Sequence, residues 1–97
     1  MKEKQTDKGI LKYRMPNVLE VFDLLDQSGV SQGLTDTLKI KRNILANISN
    51  LIDLSGLEGV NSYEDLLNDI DSFTAPLSQI ADELIEKLFD VFKKKTA

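Results

Sequence analysis

The chain has no cysteine, no histidine and no tryptophan, and only two prolines and five glycines among its 97 residues. Without cysteine there is no disulfide framework and no thiolate zinc site, so a small secreted, stapled scaffold is disfavoured and a cytoplasmic setting is expected. Without histidine, the Ser-His and Cys-His dyads of nucleophilic catalysis and the imidazole ligands of zinc are out of reach as well. No run approaches the roughly 18 to 20 apolar positions of a membrane span, and polar Met1 to Lys8 does not open a signal peptide. These absences lead to the expectation of a protein that is not an enzyme, takes no cofactor and no metal, and has no membrane partner.

What is present is an ordinary globular balance, 41% hydrophobic and 29% charged residues, enough at this length for one core and too little for two. The net charge of −4 is unevenly spread. Residues 1 to 15 carry Lys2, Lys4, Lys8, Lys12 and Arg14 against Glu3 and Asp7, whereas residues 53 to 90 carry ten acidic groups against the single Lys87. Lys39, Lys41 and Arg42 make the one internal basic cluster. Affinity for phosphate backbones needs clustered Lys and Arg, so an acidic body of this kind is not expected to bind nucleic acid.

Residues 1 to 8 read as a disordered polar lead. From Ile10 to Met15 the chain alternates, with Leu11, Tyr13 and Met15 on one side, the period of a strand, and Pro16 ends it. No mate for this strand is evident. Leu11, Tyr13 and Met15 are therefore candidate partner-binding residues, through strand addition from another chain, against the alternative that the arm lies flat and covers core.

Helical signals fill the rest. Asn17 with Glu20 makes a capping box before the buried stripe expected of Val18, Val21, Phe22 and Leu25, and Gly29 stops it. A second helix is expected to start between Ser31 and Thr35 and run to about Leu54, carrying Leu38, Ile40, Ile44 and Ile48. Ser62 with Asp65 opens a third, and Thr74 and Pro76 mark a restart before a last helix from Leu77 to Phe92. In that helix Phe89, Val91 and Phe92 widen the apolar arc, so they too are candidate partner-binding residues, with core as the commoner use of such an arc. The expected fold class is all-α: a small bundle of about four helices over residues 16–97, with an extended N-terminal arm over residues 1–15.

The acidic clusters carry little chemistry. Asp65 and Asp69, and Asp82, Glu83, Glu86 and Asp90, lie opposite the apolar stripes, where carboxylates are simply solvated. Asn68 to Ser72 lacks the central glycine and closing glutamate of a calcium loop, and the glycines at 29, 33, 56 and 59 follow no phosphate-binding pattern.

In its order of parts the chain resembles the tail assembly chaperones of long-tailed bacteriophages. The similarity lies in an extended segment running through a proline into a helix (Lys12-Tyr13-Arg14-Met15-Pro16-Asn17-Val18), several further helices, and a lysine run beside the C-terminus (Phe92-Lys93-Lys94-Lys95). The resemblance implies a non-enzymatic protein-binding module in the host cytoplasm that shields the long apolar helix of the tape measure protein during tail assembly. The alternative is a small acidic inhibitor or immunity-type protein that blocks one enzyme or toxin. A chaperone calls for an apolar groove and self-association, an inhibitor for one coherent acidic patch, and an enzyme for a pocket of converging carboxylates.

Overall fold

The computed structural model describes residues 1–96, with side chains in the last helix described as far as Lys93. Its first element corrects the expectation of an all-α protein. The polar lead is strand β1 (Lys2–Thr6), which folds back onto β2 (Gly9–Tyr13) as an antiparallel hairpin pairing Lys2 with Tyr13 and Thr6 with Gly9. In the turn, the Thr6 hydroxyl donates to the Gly9 carbonyl at 2.8 Å and accepts from the Lys8 amide at 3.1 Å. Gly9 sits at φ +119°, where a Cβ would stand 2.3 Å from the Gly56 carbonyl oxygen, so glycine is required there. A third strand, β3 (Ile52–Asp53), pairs antiparallel with the other edge of β2, giving the order β1-β2-β3.

Strand β1 holds no apolar residue, which is why it reads as disorder. Opposed residues of an antiparallel pair share a face. Lys2 and Lys4 therefore stand beside Tyr13 and Leu11 on the side that meets the last helix, and their ammonium groups reach a carboxylate there.

Helix α1 (Val18–Gln27) begins as its sequence dictates. Asn17 accepts from the Glu20 amide while Glu20 accepts from the Asn17 amide, and the chain leaves the helix through Ser28 and a left-handed Gly29. Helix α2 (Thr37–Leu45) starts later than expected, on Asp36, whose carboxylate accepts from the Leu38 and Lys39 amides. It also stops nine residues short of Leu54, giving way to a 3-10 turn (Ser49–Leu51) and β3. Ile48 and Leu51 still reach the core, so the apolar spacing continues while the backbone does not. Asn43, Asn47, Ser49 and Asn50 crowd this stretch, and such side chains compete for backbone groups; the Asn47 amide nitrogen donates to the Asn43 carbonyl at 2.8 Å.

Helix α3 (Tyr63–Asn68) is capped by Ser62, and the following break lies at Asp69 rather than at Thr74 and Pro76. Asp69 accepts from the Ser72 amide and so starts α4 (Ile70–Thr96), which runs on through Pro76. The long helix carries Phe73, Ile80, Leu84 and Leu88 against Leu11 and Tyr13 of the sheet and Leu25, Ile40 and Ile44 of the other helices, all nearly or fully buried. Among the described residues no helix is long and apolar enough to cross a membrane.

Candidate binding groove

The residues chosen from sequence for partner binding go to different places. Leu11 and Tyr13 are 0% and 2% exposed in the middle strand of the sheet, with β1 on one edge and β3 on the other. The Arg14 amide beyond them donates to the Leu51 carbonyl at 3.0 Å. Strand addition onto β2 thus has no free edge to use, and its Leu11 and Tyr13 are core. Met15, Phe89, Val91 and Phe92 are half-buried against that core, and Met15 and Phe89 border a shallow polar cleft with Lys2 and Glu86.

The carboxylates act as fasteners. Glu83 accepts from the Tyr13 hydroxyl at 2.7 Å and pairs with Lys2 at 2.8 Å and Lys4 at 3.2 Å, tying the hairpin to α4. Partial burial pushes its pKa up, but the hydrogen bonds from Lys2, Tyr13 and Lys4 outweigh that and hold it down at about 2. Burial, followed by the bond to this carboxylate, raises the Tyr13 hydroxyl. Glu20 takes a bidentate pair from Arg14 at 2.7 and 2.8 Å besides its capping bond, which lowers it to about 2. Lys41 joins α2 to α4 through Asp82 at 2.9 Å and Ser78. Asp65 accepts from the Asn61 amide, and Asp69 caps α4. Among the described residues no group of three or more His, Cys, Asp or Glu is placed to hold a metal ion.

An apolar groove lies elsewhere. Of about 470 Å³, it opens between α2 on one side and α3 with the start of α4 on the other. Buried Leu66, Phe73 and Leu77 line it, together with half-buried Leu45, while Leu38 and Leu67 stand at 78% and 43% exposure. Lys41 and Arg42 lie along the α2 side, and Asp69, Thr74 and Ser78 along the other. Ile70, next in the chain after Asp69, is 71% exposed. The sequence carries a signal for this groove that a single-stripe reading absorbs. Leu38 and Leu45 are seven apart, a second apolar row beside the Ile40 and Ile44 row that enters the core.

A second apolar surface lies on α1, where Val18 and Leu19 are 72% and 74% exposed and Phe22 49%. At positions i, i+1 and i+4 they cover one arc of the helix, bordered by Asp23. Val18 and Phe22 thus lie outside the core that the expected buried stripe assigned them to, while Val21, Leu24 and Leu25 enter it. No family model, no curated protein and no solved structure matches the chain, so function rests on the chemistry of these surfaces.

Proposed function

We propose that the chain is a non-enzymatic protein-binding module whose binding element is the groove between α2 and α3–α4, and that its ligand is an amphipathic helix with an acidic flank. The supporting observation is Leu38 and Leu67, large apolar side chains held in water at the mouth of a groove that has buried leucine and phenylalanine in its lining. A helix laid in such a groove would bury an apolar face against them. Lys41 is engaged by Asp82 and Ser78, and exposed Arg42 beside the groove favours a carboxylate on that helix.

The groove reading is preferred to the acidic-inhibitor reading because two carboxylates of the acidic α4 are neutralised within the fold, Asp82 by Lys41 and Glu83 by Lys2 and Lys4. The resemblance to tail assembly chaperones rests on order of parts alone, so the proposal is for the class of protein and not for that family. The test is a titration with a synthetic amphipathic helix of about 15 residues, leucine on one face and glutamate beside it. Binding that is lost in Leu38→Glu and Leu67→Glu supports the reading. A peptide that fails to bind, or that binds both variants as it binds the wild type, overturns it.

A further inference from the structure

Resting on that groove reading, we infer that the helix the groove receives is α1 of a second copy of this chain, so that copies join head to tail. The two surfaces match in chemistry. One is a groove with exposed Leu38 and Leu67 and with exposed Arg42 alongside; the other is a helix face with exposed Val18 and Leu19 bordered by exposed Asp23. The helix supplies the apolar arc with an acidic edge, and the groove supplies the apolar cleft with a basic edge. Apolar burial would drive the contact, and the charge order would fix the direction in which α1 lies.

Both surfaces belong to every copy, and they are different surfaces. In a head-to-tail contact a copy that has filled its neighbour's groove still offers its own, and the assembly grows as an open chain or closes as a ring. A two-fold dimer in which each α1 filled the other's groove would use the same two surfaces but stop at two copies. A wild type that does not grow past a dimer therefore overturns the head-to-tail order. An amphipathic helix from an unrelated protein would compete for the same groove.

The experiment uses two variants with changes at exposed positions, Val18→Ser with Leu19→Ser to remove the helix face, and Leu38→Glu to spoil the groove. Folding of each is checked by circular dichroism, and mass is followed by sedimentation over a range of concentrations. The wild type should grow beyond a dimer with concentration, and each variant alone should self-associate about tenfold or more weakly. Mixed together, the two variants should form a complex that stops at one copy of each, because the intact groove of the first accepts the intact α1 of the second. Restored pairing on mixing is what a heterologous contact requires. A wild type that stays monomeric, or variants that fail to pair when mixed, overturns the inference. The synthetic peptide is titrated into the same wild-type sample: if it binds a monomeric protein, the groove reading survives and the second-copy inference falls, and if it does not bind, both fall.

Discussion

Glu83 concentrates more of the fold's polar bonding than any motif in the sequence would announce. Its carboxylate holds Tyr13, Lys2 and Lys4, groups some 70 to 81 residues away along the chain. Because its pKa in the fold, about 2, lies below the ordinary 4.5, it contributes stability above pH about 4.5 that is lost as pH falls towards 2. Glu83→Gln should therefore melt at lower temperature than the wild type at neutral pH, with the gap closing as the pH falls through that window. Thermal melts of both proteins across the range check this, and a gap that persists at pH 2 would mean that packing, not charge, is what the substitution removes. Gly9 is the second such position. With φ at +119° and the Gly56 carbonyl against the place of its Cβ, Gly9→Ala should cost on the order of 1–3 kcal/mol, read by urea denaturation. The capping roles of Asn17 and Ser62 were legible because a cap and its partner lie three residues apart. Those of Glu83 and Gly9 were not, since their partners are distant in the chain and nothing local marks them.

At the level of elements, sequence pattern found those that bury a stripe and missed those held only by their neighbours. β2 alternates because its Leu11 and Tyr13 enter the core, so it was legible. β1 is Lys-Glu-Lys-Gln-Thr, held by backbone pairing to β2 and by lysines on Glu83, and β3 is two residues long. Neither has a period to read, and missing both turned a mixed sheet-and-helix fold into an all-helical one. The failure at residues 46–54 is of the opposite kind: Ile48 and Leu51 keep helical spacing by packing on the same core, while the asparagines around them favour turns. Two expectations follow. Removing residues 1–15 takes away Leu11 and Tyr13 along with two of the three strands, so the remainder should lose its cooperative thermal transition rather than persist as a helical domain. Leu84, 1% exposed at the middle of α4, should cost roughly 2 to 5 kcal/mol as Leu84→Ala, measured by denaturant melts. A folded truncation, or a Leu84→Ala loss well below that range, would show that the hairpin or the helix is peripheral.

For the whole molecule, the two apolar surfaces and the charges beside them act against a net charge of −4 on a body 44 × 24 × 18 Å in extent. The exposed leucines were visible in the sequence, yet only the fold separates the leucines that fill the core from those that stand in water, which is why the groove was not legible and the chemical absences were. Salt should act on the proposed head-to-tail contact in two opposite ways. Near 0.01 M ionic strength charges are felt over about 30 Å, so each copy meets the whole of its neighbour and the like net charges repel. Near 0.15 M that distance falls to about 8 Å, and a copy feels chiefly what it faces at the contact, Asp23 against Arg42, which attract. Towards 1 M it is about 3 Å, and the attraction fades as well, leaving apolar burial alone. Self-association at fixed protein concentration should thus pass through a maximum at intermediate sodium chloride, and Asp23→Asn should flatten the fall on the high-salt side. Sedimentation across the salt range measures it. A steady rise to the highest salt would mean that the facing charges contribute nothing to the contact, and a steady fall from the lowest salt would mean that the net charge does not oppose it.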